Sequence, residues 1–312
     1  MSAADPVRAI ADAVLYEGYI LWPYRRSAMK NSQRWTFGGV YPRAWSQRHR
    51  DDRWQMQAQV LVRGGPDVDV SVRFLHVVRR QVFDATDEPV DDLTVDGELH
   101  ISWEEATERE LGPGPLSIAG GRDVEPLGEA GSVVRTWLAL EGAIEVQAEP
   151  LGEDLHRLTV VISNTTPFDG TREEALAQTL CSCHAVLRAR SGSEFVSLTD
   201  PPAELRAEAE GCANQGVWPV LVGESHERGV MLASPIILED HPRIAPESPG
   251  DLFDGGEIDQ MLVLNILSLT DEEKEEMRAT DPKAREILER TEALTPEELM
   301  RLNGAIRDMR YV

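Results

Sequence analysis

Gln55-Met56-Gln57-Ala58-Gln59-Val60-Leu61-Val62, then Gly64-Gly65-Pro66, then Val68-Asp69-Val70-Ser71-Val72-Arg73-Phe74, is the stretch from which the fold is read. Apolar and polar side chains alternate on both sides of the break, which is the period of a strand that buries one face. The Gly-Gly-Pro step is turn chemistry. The same reading extends over about 54–163, with further strands predicted at 98–105, 135–140, 143–149 and 157–163. Glu141-Gly142 and Leu151-Gly152-Glu153-Asp154 stand at hairpin spacing. Consecutive strands with short turns build an antiparallel sheet, as a β-sandwich or an open barrel. Residues 106–132, rich in Gly, Pro and Glu, read as a long surface excursion.

Beyond Pro167 the period changes. Thr171 and Glu174 form a capping box, and Leu176, Leu180, Cys183 and Leu187 follow at helical spacing, so a helix is predicted from 171 to about 190. Asp200-Pro201-Pro202 opens a short helix that Gly211 can end, and strands are predicted at 217–222 and 229–238. A Pro-rich acidic loop spans 241–256. Ile258, Met261, Leu262, Ile266 and Leu269 mark one helical face. Thr270 with Glu273, and Thr295-Pro296 with Glu298, start two more helices, the last striped by Leu299, Leu302 and Ile306. The expected class is α+β. Residues 1–165 hold a basic aromatic segment and the antiparallel β part, 166–250 a mixed region, and 251–312 a short helical bundle.

The 312-residue chain has 31 Lys and Arg against 55 Asp and Glu, a formal net charge of −24. Such a chain repels phosphates, so nucleic acid is an unsuitable partner. No run approaches the length of a membrane helix, so no membrane insertion is expected, and the opening MSAADPVRAIADAV does not read as a secretory signal. Three cysteines argue against a disulfide framework and for the cytoplasm. The charge is uneven. Residues 1–60 hold nine cations and five acids, with four of the seven tryptophans and four of the five tyrosines. The remainder is strongly acidic.

Three segments carry residue types suited to chemistry. In the first, Trp22, Tyr24, Arg25, Arg26, Lys30, Asn31, Arg34 and Trp35 precede Phe37-Gly38-Gly39. Arginines among aromatic rings grip a carboxylate, a phosphate or an acidic protein surface. Equally, they pair with acids of the same chain while the rings fill the core. Gly38-Gly39 lets a backbone approach closely. In the second, Cys181-Ser182-Cys183-His184, with Cys212 further on, offers thiols and an imidazole for Ni or Zn. On the predicted helix Cys181 and His184 share a face, while Cys183 belongs to the apolar stripe. In the third, His241, Glu247 and Asp251 lie in the acidic loop, which suits a hard cation, a docked arginine or plain solvation. The chain has no G-x-G-x-x-G, Walker, G-x-S-x-G or H-E-x-x-H motif, and no cofactor is predicted.

VLYEGYILWPYRRSAMKNSQRWTFGGVYPRAWS (14–46) and DHPRIAPESPGDLFDGGEIDQMLVLNILSLTDEEKEEMRATDPKAREILER (240–290) resemble an actinobacterial-type family encoded beside high-affinity, oxygen-tolerant [NiFe]-hydrogenases. The blocks cover about a quarter of the chain. The resemblance implies a cytoplasmic accessory or maturation role. The partner would be a hydrogenase subunit or another maturation protein, met through Trp22, Tyr24, Arg25, Arg26, Lys30, Arg34 and Trp35. The competing reading is a metal- or small-anion-binding enzyme or metallochaperone. It would use Cys181, His184 and Cys212, or His241, Glu247 and Asp251.

Overall fold

The computed structural model describes residues 6–21, 23–27, 34, 37–243, 252, 259–295 and 297–299. Strands β1 (Gln55–Arg63) and β2 (Val68–Asp84) form where the alternation places them, and β2 runs on past Phe74. They do not pair with each other. Gly64 and Gly65, at φ +85° and +136°, carry the chain from one sheet into the next. Strand β1 lies between β11 (Leu155–Asn164) and the short β13 (Glu194–Val196), and β11 continues through β10 (Leu140–Pro150) to β7 (Gly114–Ile118). All four pairings in this five-stranded sheet are antiparallel.

Strand β2 is central to the eight-stranded sheet, whose order is β14 (Trp218–Leu221), β15 (Val230–Ser234), β12 (Cys181–Ala189), β2, β9 (Gly131–Trp137) and β8 (Gly121–Pro126). Strands β3 (Pro89–Val90) and β6 (Trp103–Leu111) also pair with β2. Val72 stands opposite Ala185 on one side and Leu111 on the other, so β6 and β12 flank it. Strands β4 (Asp92–Val95) and β5 (Glu98–Ile101) form a separate ladder. The alternation now has its cause. Met56, Ala58, Val60 and Val62 of β1 share one buried cluster with Val70, Val72 and Phe74 of β2, Leu158, Val160 and Ile162 of β11, and Cys183, Ala185 and Leu187 of β12.

Several sequence expectations are corrected. Glu141-Gly142 is not a turn: both residues lie inside β10, and β9 and β10 belong to different sheets. Gly142 is needed because a Cβ there would meet Ser163 O at 2.0 Å. The loop 151–154 does join β10 to β11, with Pro150 opposite His156. Residues 106–132 are not a plain excursion, since they complete β6 and supply β7 and β8. The strand predicted over 98–105 breaks at Ser102. Its Oγ donates to Val90 O (2.7 Å) and accepts from Val82 N–H (2.9 Å), pinning the crossing from β5 to β6.

The helix predicted over 171–190 stops early. Its capping box is present, but α3 spans only Arg172–Ala177, and Cys181–Ala189 is the strand β12. Of the strands from 166–250, β12, β14 and β15 thus join the sheet of β2, while β13 joins that of β1. Two short helices, α2 (Arg43–Ser46) and α4 (Arg206–Glu210), flank the sheets, with Gly211 closing α4 as expected.

Helix α1 (Pro6–Tyr16) and the C-terminal helices α5 (Asp259–Leu267), α6 (Asp271–Thr280) and α7 (Pro282–Glu292) belong to an outer layer. Leu15, Tyr19, Ile20 and Tyr24 pack with Leu75, Val77, Trp103 and Cys181 of the sheet and with Leu262, Val263, Ile266, Met277, Ile287 and Leu288 of the helices. Each buried Leu or Ile contributes roughly 1.5–3 kcal/mol. Met261, expected on the inner stripe, is exposed instead. The Thr270–Glu273 box caps α6, and Asp281 caps α7 ahead of Pro282. Thr295 and Glu298 also make their reciprocal bonds (2.8 and 3.3 Å). Leu302 and Ile306 lie outside the described residues. Among the described residues no helix is long and apolar enough to cross a membrane.

Candidate functional site

The basic aromatic segment folds back onto its own chain. Tyr16 and Tyr19 stack edge to face, and Tyr19 Oη donates to Asp281 Oδ2 at 2.5 Å, tying the segment to the start of α7. Tyr24 sits at φ +58° with no exposed surface, and its hydroxyl donates to Leu252 O at 2.6 Å. Arg25 pairs with Glu273 (2.9 Å) and Glu276 (3.7 Å) on α6, and Ser27 N–H donates to Glu276 (3.0 Å). Arg26 pairs with Asp91 at 2.9 Å.

Arg34 is buried. It donates to Tyr19 O (3.3 Å) and Glu104 O (2.7 Å), with its guanidinium 3.8 Å from the centre of the Trp103 ring. Burial holds this guanidinium below the usual arginine range. As residues for meeting a partner, Tyr24 and Arg34 are therefore corrected: both are inside. Arg25 and Arg26 are half-buried and engaged with their own chain. Trp22, Lys30, Asn31 and Trp35 lie outside the described residues.

Helix α1 uses the same chemistry against the acidic strand β6. Tyr16 Oη donates to Glu108 (2.5 Å), Arg8 reaches Glu110 (3.6 Å), and the buried Arg73 of β2 bridges Asp12 (2.6 Å) and Glu108 (3.4 Å). Nearby, Arg80 donates to Ile101 O, Ala279 O and Thr280 O, fastening β2 to the end of α6, and it pairs with Glu105 at 3.4 Å. Arg135 joins Glu105 (2.6 Å) to Glu125 (2.7 Å). Asp281 is 1% exposed, and burial raises its carboxyl above the ordinary range. Sequence reasoning missed this network. The available signal was charge inside an otherwise apolar strand, at Arg73 and Arg80, because such groups stay buried only when paired.

The cysteine segment receives the end of the N-terminal one. Ser182 N–H donates to Phe37 O (3.1 Å), Cys183 N–H to Gly38 O (2.9 Å), and Val40 and Leu180 exchange both bonds (3.0 and 3.1 Å). Gly38, at φ +57°, admits this approach, since a Cβ there would meet Pro235 at 2.7 Å. Opposite this contact β12 carries an extra residue. Cys181 faces Leu75 and His184 faces Arg73, so Ser182, at φ +51°, is the bulge. The bulge returns Cys181 and His184 to one face by a route other than the predicted helix.

They do not meet Cys212. Cys181 packs with Tyr19 and Leu75, whereas Cys212 packs against Leu61 and Leu205. Burial drives the Cys181 and Cys183 thiols far above the ordinary range, and it pushes His184 down to about 4, with its Nδ1 2.9 Å from Ser182 O. All three side chains are fully buried. His241, at φ +56°, places Nδ1 3.2 Å from Gly223 O, while Glu247 and Asp251 lie outside the described residues. Among the described residues no group of three or more His, Cys, Asp or Glu converges as metal ligands would.

The surface around the Phe37–Val40 contact was also missed by sequence reasoning. A cavity of about 200 Å3 is lined by Phe37, Gly38, Gly39, Asp51, Trp218 and Pro235 among others. Phe37 is 41% and Trp218 44% exposed, and Ile237, two residues past Pro235, is 72% exposed. Compared with protein-family models and with curated proteins, the chain finds no match.

Proposed function

We propose that this protein is an accessory factor in the assembly or maturation of a [NiFe]-hydrogenase, and that it acts by docking to a protein partner. The observation that carries the docking mode is the exposed pair Phe37 and Trp218 over one shared cavity. Large aromatic side chains beside a pocket are the residue types that anchor interfaces. Phe37 belongs to the first block that resembles the hydrogenase-associated family, which is the support for the partner class. We read the two sheets as a sandwich whose end presents this patch. Arg25, Arg26 and Arg34 of the same block are engaged with their own chain, which leaves the aromatic pair as the contact.

The test is co-purification from a native lysate. Trp218→Ser combined with Phe37→Ser, both at exposed positions, is expected to remove a hydrogenase subunit or maturation protein from the eluate while the melting temperature stays within a few degrees. Full retention of that partner by the double variant overturns the docking surface. A wild-type eluate with no hydrogenase-related protein overturns the partner class.

A further inference from the structure

A cavity of about 910 Å3 opens between α1 and the β14–β15 hairpin, away from the patch above. Its floor is apolar: Val7 and Ile10 from α1 meet Val222 and Val230 from the hairpin. Its rim carries both signs, with Arg188 at the end of β12 and Arg228 and Arg243 beside the hairpin set among Glu194, Glu224 and Glu227. The acids there are partly engaged. Glu224 pairs with Arg243 at 3.3 Å, and Glu227 accepts the Glu224 N–H at 2.7 Å, which folds the loop on itself.

Arg228 also faces an adjoining cavity of about 470 Å3, lined by Asp200, Glu239 and the carboxylate of Asp240 among others. That carboxylate is taken up by Ser197 Oγ (2.5 Å), Thr199 Oγ1 (2.7 Å) and Leu221 N–H (2.7 Å). Arg228 is half-buried, and among the described residues no carboxylate forms an ion pair with it. This is unexpected in a chain where 55 acids face 31 cations. A half-buried guanidinium without an acidic partner among the described residues, at the edge of an apolar trough, is the recognition chemistry of a carboxylate with a hydrocarbon body.

We infer that this groove binds an aliphatic carboxylate, with the chain lying along Val7, Ile10, Val222 and Val230 and the head group on the Arg228 guanidinium. The site is independent of the docking reading, and either can fail alone. The test is calorimetric titration of the full chain with sodium decanoate below its micellar range, with decylamine and inorganic phosphate as comparison probes. Decanoate is expected to bind at one saturable site, with amide shifts confined to α1 and 222–230. Arg228→Gln is expected to weaken it about tenfold or more, the loss of a charge-assisted pair. Ala9→Trp, which fills the groove and leaves the charge, is expected to abolish it. Four outcomes overturn the inference: no saturable decanoate binding, equal affinity for decylamine, equal affinity for phosphate alone, or wild-type affinity in both variants. Should Ala9→Trp unfold, the shift map and Arg228→Gln decide the matter.

Discussion

His76 and His184 have no exposed surface, and burial pushes each down to about 4 from an ordinary 6.5. For His76 the neighbouring Arg109 adds to the effect, and for His184 Arg73 does. An unfolded histidine takes its proton near pH 6.5, whereas these two take theirs near pH 4. Between those values the unfolded chain binds more protons, so stability falls as pH falls, by up to on the order of 3 kcal/mol for each histidine. Asp281 works in the opposite sense. Its raised carboxyl takes a proton in the folded state first, which offsets part of the loss. Urea unfolding at pH 7 and pH 5 is therefore expected to show a clear loss of stability at the lower pH. The double variant His76→Gln, His184→Gln is expected to flatten that slope, and an unchanged slope would place the acid sensitivity elsewhere. Neither histidine was singled out by spacing as a buried base. The thiols beside His184 make it only a candidate ligand in the sequence, and its burial behind the bulge at Ser182 shows that its face is packed.

Among the elements, β1, β11 and the first residues of β2 were readable because one face is buried and the other only partly covered, which leaves period 2 in the sequence. The capping boxes at Thr171 and Thr270 were readable because both halves of each box are local. Strand β12 was not. It is buried on both faces, by the shared core inside and by α1 and the N-terminal segment outside, so its apolar run has no strand period, and Leu176, Leu180, Cys183 and Leu187 match helical spacing by coincidence. Strand β8 failed for the opposite reason, since it is an edge strand exposed along nearly its whole length. Gly142 tests the corrected assignment of β10. Gly142→Ala drives a Cβ into Ser163 O and is expected to cost about 2 kcal/mol or more, the scale of overpacking. Gly152→Ala, in the real β10–β11 turn, meets nothing and is expected to be near neutral. Equal melting temperatures for the two variants would restore 141–142 as a turn.

For the whole molecule, the net charge of −24 conceals an internal division of labour. Much of the first sixth is engaged with the chain itself: Arg25 pairs with Glu273 on α6, Arg26 pairs with Asp91, Arg34 donates to the backbone carbonyls of Tyr19 and Glu104, and Tyr19 donates to Asp281. Of the two readings that the sequence left open, an internal clamp or an exposed grip, the described residues form the clamp. It joins the C-terminal helices to the outer face of β2. Hydrogen exchange on the wild type and on the double variant Tyr19→Phe, Arg25→Gln tests this most directly. The clamp predicts faster exchange in α6 and α7 with unchanged protection in β1 and β11. Unchanged exchange in α6 and α7, or equal loss throughout the molecule, would contradict it.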